Sequence, residues 1–345
     1  MDYSKQRIKV CSITQVNKDV RCYRFVSAEE GIELQGFSAG QYINIFYKIG
    51  DTTTSRPYSI ASSPREAVEE GFYELYIRGG GFTSVWLFKN ADVGAVFEAS
   101  MPMGEFCIDS TSEGSIIAIS GGMSITPLRS MARAVAQGSV NARLCLFCGF
   151  NRVEELLFYD ELMELAASCE SLDVVFAVAN ERVEGMVYGH ITRELLCNKA
   201  DTTNAEYFVC GSDEMYKFLE SELYPLHIPS AKYHTELPGE VWQGAASQLT
   251  DDIRVFTLTV DIRGEIHKAA MRSDETILLA LERSGLEPES RCRSGRCKFC
   301  VAVLLEGMVY VDPSRERRST MEIARGLINT CCTFPLSDVS LKVNI

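Results

Sequence analysis

Two changes of texture along the chain predict a multidomain fold. An antiparallel β-barrel comes first, then an α/β domain with a parallel sheet, then a small α+β domain. Short alternating runs broken by Gly, Pro and Ser mark the first part. Apolar runs that alternate with helical patterns from Ser115 onward mark the second. A length of 345 residues agrees with two or three domains at about 150 residues each.

In the first part, residues 20–26, 42–47, 72–77 and 95–101 alternate with period two and read as strands. In the second, residues 116–120, 144–147, 174–178 and 207–210 read as buried strands, with helices over 127–137, 153–168, 191–196 and 213–223. Strict alternation of the two implies a parallel sheet with helices on its faces. Residues 238–252 carry neither period and read as a linker. A strand over 255–262 then turns at Arg263-Gly264 and returns. A helix over 275–284 follows, with Ser273 or Asp274 to cap it and Gly285 to end it. The expected domains are 1–111, 112–237 and 253–345, with the linker at 238–252.

Lys plus Arg number 34 against 47 Asp plus Glu, a net charge of −13. A nucleic-acid binder carries the opposite, basic footprint. The start, MDYSKQRIK, has no apolar core of a signal peptide, and no run approaches the length of a membrane span. The odd total of thirteen cysteines argues against a secreted disulfide framework and for a reducing cytoplasm.

Four of those cysteines carry the strongest signal. Cys292, Cys297 and Cys300 stand as C-x4-C-x2-C, and Cys331 follows after thirty residues. This is the plant-type spacing for a [2Fe–2S] cluster. Three thiolates on one loop require the chain to wrap around sulfide, which suits Gly295 inside it. Zinc would favour two close C-x2-C knuckles, and unligated structural thiols are the plainer alternative.

Arg56-Pro57-Tyr58-Ser59 offers a guanidinium fork for a phosphate, a flat ring face and a hydroxyl that can donate to a flavin N5. The plainer reading is a strand with a surface arginine. Gly79-Gly80-Gly81-Phe82-Thr83-Ser84 follows the next strand and can form a backbone nest for an anion, or a mere Gly-rich turn. Ser120-Gly121-Gly122 closes a strand, and Thr126-Pro127 opens a helix with Thr126 as its cap and Pro127 in its first position. Cys210-Gly211 ends another strand at the same sheet edge, where Rossmann-like sheets bind ligands.

Together these residues resemble the ferredoxin–NADP reductase superfamily, in the subgroup with a C-terminal plant-type ferredoxin domain of β-grasp fold. Arg56, Tyr58 and Ser59 match its R-x-Y-S flavin motif, and Gly80, Gly81 and Ser84 its second phosphate motif. Gly121, Gly122, Thr126 and Pro127 match G-G-x-G-x-T-P. Cys210 and Gly211 match C-G-P beside the nicotinamide, and Glu236 matches an acidic residue near the flavin. The closing segment 328–338 resembles L-x-C-x-x-x-P-x-x-D, which makes Cys331 rather than Cys332 the fourth ligand. Ser124, Ser212, Lys298 and Phe299 depart from the family pattern.

The resemblance implies hydride transfer from NAD(P)H to FAD, with FMN as the alternative, and single electrons passed to a [2Fe–2S] cluster and on to a protein acceptor. Ser59, Cys210 and Glu236 are the residues it implies at the reacting atoms. Residues 189–196 and the layout look like NADH oxidoreductases of hybrid-cluster protein. The reductase component of a multicomponent oxygenase shares the architecture, and a non-catalytic electron-transfer subunit is a further alternative. Arg152 meets either a 2′-phosphate or solvent. Arg291, Arg293, Arg296 and Lys298 fall within eight residues of the cluster loop and predict an acidic docking surface on the partner, unless Glu287 and Glu289 neutralise them.

Overall fold

The computed structural model describes residues 5–236 and 252–343. Almost all of the expected linker, 238–252, lies outside them. The first sheet contains β1 (Lys5–Gln15), β2 (Val20–Ser27), β3 (Tyr42–Ile49), β4 (Thr52–Ser59), β5 (Tyr73–Arg78) and β6 (Val96–Ser100), in the order β4-β3-β6-β1-β2-β5. Its pairs β1–β2, β1–β6 and β2–β5 are antiparallel. Ile8 and Val10 on β1 point into the core while Arg7 and Lys9 face water, the pattern of a half-buried strand. A bulge between Val10 and Ser12 interrupts that alternation. The sheet carries helices α1 (Pro64–Glu69) and α2 (Phe82–Asn90).

The second sheet is parallel: β7 (Glu113–Gly121), β8 (Asn141–Phe150), β9 (Leu172–Val178), β10 (Val187–Tyr188), β11 (Glu206–Cys210) and β12 (Tyr233–Glu236), ordered β10-β9-β8-β7-β11-β12. Helices α3 (Ile125–Ala136), α4 (Tyr159–Ser168), α5 (Arg193–Lys199) and α6 (Asp213–Leu223) connect its strands. Ile116 and Ala118 pack into one core with Leu128 and Met131. Ile117 and Ile119 pack into a second core with Leu196 and Leu219. Burial on both faces is why β7 reads as a continuous apolar run.

Two local expectations fail here. The helix expected over 153–168 is a single 3-10 turn, Val153–Glu155, followed by α4. Phe158 breaks it with a left-handed φ of 61°, its ring edge-on to Tyr76 at 4.6 Å. Helix α3 begins at Ile125 after a 3-10 turn at Gly122–Ser124, so Pro127 takes its third position. A proline is tolerated there because first-turn N–H groups lack helical partners. Thr126 does not cap the helix; its hydroxyl donates to the Met123 carbonyl at 3.2 Å.

The third sheet contains β13 (Val255–Ile262), β14 (Glu265–Arg272), β15 (Val301–Glu306), β17 (Leu327–Asn329) and β19 (Val339–Val343), ordered β14-β13-β19-β15-β17. A ribbon of β16 (Val309–Val311) and β18 (Thr333–Pro335) stands beside α8 (Thr320–Ala324) in the chain order. The β13–β14 turn is at Arg263-Gly264, as expected. Helix α7 (Ile277–Arg283) is capped by Thr276, whose hydroxyl accepts from the Leu279 amide, and not by Ser273 or Asp274. Those two are taken: Ser273 accepts from the Arg254 amide and Asp274 pairs with Arg272. The core gathers Leu258, Val260, Ile277, Leu281 and Leu341. The chain forms two compact units, and residues 44–57 belong to the one that contains this third sheet.

In the other unit, a buried ion-pair network joins β5 to α3. Arg129 Nη1 reaches Glu74 at 2.7 Å and the Ala61 carbonyl at 2.8 Å, and its Nε reaches Glu161 at 2.9 Å. Arg24 holds the other Glu74 oxygen at 2.8 Å. Burial alone would push the Glu74 carboxyl up, but Arg129 and Arg24 outweigh it and hold it below its ordinary value. A depressed carboxyl contributes stability above its unfolded pKa, and that contribution is lost as pH falls through the folded value. Glu74→Gln is therefore expected to destabilise the protein by about 3–5 kcal/mol near neutral pH. The deficit should narrow as the pH drops below about 4, as read from urea denaturation midpoints at several pH values.

Candidate functional site

The cysteine loop is held by its own backbone. The amides of Ser294 and Cys297 donate to Cys292 Sγ at 3.4 and 3.3 Å, and the Cys292 amide donates to Cys297 Sγ at 3.4 Å. Hydrogen bonding from Cys297 holds the Cys292 thiol down at about 5, against the effect of burial. Cys300 and Cys331 pack into one buried cluster with Leu278 and Cys332. The Thr330 amide and hydroxyl tie the Cys331 turn to the Cys300 carbonyl, at 3.0 and 2.9 Å. The thiols thus gather as Cys292 with Cys297, and Cys300 with Cys331 and its neighbour Cys332. That donor set suits two irons with two thiolates each.

Gly295 holds a φ of +79°, and a Cβ there would meet Cys332 Sγ at 2.9 Å and the Arg315 carbonyl at 3.3 Å. The glycine expected for sharp folding is required by both backbone conformation and space. Cys332 itself turns to the Asn329 carbonyl at 3.5 Å.

The basic patch expected on this loop is smaller than its sequence suggests. Arg293 is 1% exposed and its guanidinium pairs with Glu282. Lys298 reaches Glu322 at 2.6 Å, and Arg291 lies over the Phe299 ring at 3.4 Å. Arg296 is exposed.

On β4, Arg56 is buried rather than on the surface. Its Nη1 donates to the Thr54 hydroxyl at 2.6 Å and to the Ser55 carbonyl at 2.8 Å. Pro57, Tyr58 and Ser59 are half-buried. Gly80 follows β5, and Gly81 caps α2. The Ser84 hydroxyl closes that helix start, accepting from the Gly81 amide at 3.0 Å, and Thr83 is buried beside it.

In the parallel sheet the register brings three expected residues together. Cys210 pairs with Ser120 on β7 and with Glu236 on β12. The chain runs outward from β7 through β8, β9 and β10, then returns to add β11 on the other side. The strand order therefore reverses between β7 and β11, the switch point at which such sheets bind ligands. Gly121 and Gly211 flank it.

A Cβ on Gly121 would meet Met215 Sδ at 2.5 Å, and one on Gly211 would meet the same sulfur. Met215 was missed by motif reading; its signal is its place on the first turn of α6, four residues after Gly211. Ser212, where the family has proline, caps α6 by accepting from the Met215 amide at 3.3 Å. The Tyr216 hydroxyl lies 2.6 Å from the Glu236 carbonyl and 2.7 Å from that of Val209. Arg152 is exposed, 4.0 Å from Glu154.

Residues 7–108 match the oxidoreductase FAD-binding domain, 118–221 the oxidoreductase NAD-binding domain, and 260–336 the 2Fe-2S iron-sulfur cluster binding domain. The chain belongs to the ferredoxin–NADP reductase superfamily, in the branch with a C-terminal [2Fe–2S] domain. It is an NAD(P)H oxidoreductase of ferredoxin reductase type, with FAD and a [2Fe–2S] cluster as cofactors, that transfers electrons from NAD(P)H.

It is 26% identical over 340 residues to NADH oxidoreductase HCR of Escherichia coli K12, covering 97% of each chain. It is 24% identical to the ferredoxin reductase component of 3-ketosteroid-9-alpha-monooxygenase of Rhodococcus rhodochrous, covering 96% of this chain and 94% of that one. Its fold is like that of phthalate dioxygenase reductase, with a TM-score of 0.77 at 20% identity over 99% and 98% of the two chains. Among the described residues no helix is long and apolar enough to cross a membrane.

Proposed function

We propose that this chain oxidises NAD(P)H and delivers single electrons to a separate protein acceptor of the hybrid-cluster type. The observation that supports it most is a cysteine loop whose own amides donate to Cys292 and Cys297 Sγ and whose Cys300 packs with Cys331, in a chain that also carries the switch-point edge of Gly121, Cys210 and Glu236. A terminal oxygenase is the second candidate acceptor, favoured by relatives named as monooxygenase reductase components. An odd total of thirteen cysteines favours a reducing, cytoplasmic setting. Dye-coupled NADH oxidation separates this reading from a subunit without turnover, and addition of each acceptor class separates the two partners.

In this reading Arg56 grips a flavin phosphate; the backbone of Gly80 and Gly81 and the Thr83 and Ser84 hydroxyls at the α2 start are the family's second phosphate motif. Pro57 holds the strand between Arg56 and Tyr58. Tyr58 offers its ring face and Ser59 donates a hydrogen bond toward the flavin N5. Gly121, Gly122, Thr126 and Pro127 let the backbone approach the nucleotide pyrophosphate. Cys210 and Gly211 border the nicotinamide, and Glu236 supplies the carboxylate beside Cys210. Cys292, Cys297, Cys300 and Cys331 hold the irons. When bound, the flavin and cluster convert a hydride into single electrons, and the protein binds and orients them.

Arg56→Ala is expected to weaken flavin binding by roughly ten- to a hundredfold, about 1.5–3 kcal/mol, measured by flavin fluorescence on dilution. Cys331→Ser should abolish or distort the cluster absorbance and reduced-state EPR signal while Cys332→Ser preserves both; the reverse result exchanges their roles.

The exposed Arg296 is the part of the loop that suits an acidic acceptor surface. Acceptor-dependent turnover should fall as ionic strength rises and should fall in Arg296→Glu. Dye reduction by NADH should not change in that variant.

A further inference from the structure

A buried polar cluster joins β4 to the cysteine loop within one compact unit. Thr54, Arg56, Glu282 and Arg293 are 3%, 7%, 3% and 1% exposed. Thr54 and Arg56 are two residues apart on β4, so their side chains share a face. Glu282 lies in the last turn of α7, and Arg293 directly follows Cys292.

The Thr54 hydroxyl donates to Glu282 Oε2 at 2.8 Å and accepts from Arg56 Nη1 at 2.6 Å and from Arg293 Nη2 at 3.0 Å. One donor and two lone pairs are the whole capacity of a hydroxyl, so these three contacts use all of it. Glu282 Oε1 accepts from Arg293 Nη2 and closes the set. Burial pushes the Glu282 carboxyl above its ordinary range, yet both its oxygens accept from donors, which suits the carboxylate. Arg293 holds a left-handed φ of 51°, a conformation that a non-glycine residue keeps when its surroundings impose it.

We propose that Thr54 and Glu282 are positioning residues that link Arg56 to the cluster loop through Arg293, coupling flavin binding to the electronic environment of the cluster. This rests on the assignment of Arg56 to the flavin phosphate. Arg56, once it engages a phosphate, bears less on the Thr54 hydroxyl. The hydroxyl and Glu282 then bear more on Arg293, which sets the backbone beside Cys292. Coupling of this kind is reciprocal: whatever the flavin does to the cluster, the cluster's redox state does to flavin affinity. A clamp that served folding alone would hold the same side chains without that linkage.

The test uses the full-length protein, as FAD-loaded and deflavo forms, with cluster midpoints read by EPR redox titration. In wild type the two forms should differ by about fivefold in the reduction equilibrium, or about 40 mV at 59 mV per decade. Thr54→Val should abolish most of that difference and weaken FAD binding by about three- to tenfold, whereas Thr54→Ser should keep both. Equal midpoints for the two wild-type forms overturn the proposal without any variant. So does a Thr54→Val protein that retains the full difference. Arg56→Ala serves as the control: undiminished FAD affinity there overturns the flavin assignment itself, while weakened affinity beside an unaltered Thr54→Val overturns the relay alone.

Discussion

Two carboxylates buried against arginines constrain how each compact unit is put together. Glu74 lies between Arg24 and Arg129, and Glu282 lies against Arg293 and Thr54. Removing such charges from water costs several kcal/mol per ion, so a buried pair is a weak source of net stability. It is a strong source of specificity, because any other packing leaves a charge unpaired. Glu74 makes β5 and α3 fit in one way: Arg129 must arrive from the first turns of a helix that itself starts at the nucleotide-type turn. The site edge and the first sheet therefore depend on the same ion pair.

The parallel register carries the next level of organisation. Ser120, Cys210 and Glu236 are neighbours because β7, β11 and β12 run in one direction and end at one edge. The glycines at that edge leave a place that Met215 fills, so the sulfur rather than a Cβ defines the floor beside Cys210.

Much of this was legible in the sequence where the signal is local. Strand–helix alternation located β7, β8, β9 and β11, the 213–223 helix agrees with α6, and the cysteine spacing marked the loop because ligation geometry fixes that spacing. What failed depended on contacts distant in sequence. The apolar pattern through 153–168 is helical in period, but the seat of Phe158 on Tyr76 and Arg129 overrides it. Ser273 looks like a helix cap until Arg254 claims its hydroxyl. Strand β1 drew no expectation at all, because a bulge between Val10 and Ser12 breaks its alternation. Arg293 reads as one of four surface cations, and only tertiary packing reveals that Glu282 takes it inside.

That last difference changes how the loop can act on a cluster. Four exposed cations would form a broad positive field, favouring the reduced cluster and any acidic partner. With Arg293 compensated by a carboxylate and Lys298 shared with Glu322, the net field is much weaker. The nearest stabilisation of negative charge on the sulfurs comes instead from the Ser294 and Cys297 amides at Cys292 and the Cys292 amide at Cys297. Hydrogen bonds to the sulfurs are among the determinants of potential for such clusters. They are set by loop conformation and not by surface charge. The residues that shape the loop are Gly295, by its φ, and Arg293, by its anchor on Glu282, while Arg296 stays exposed.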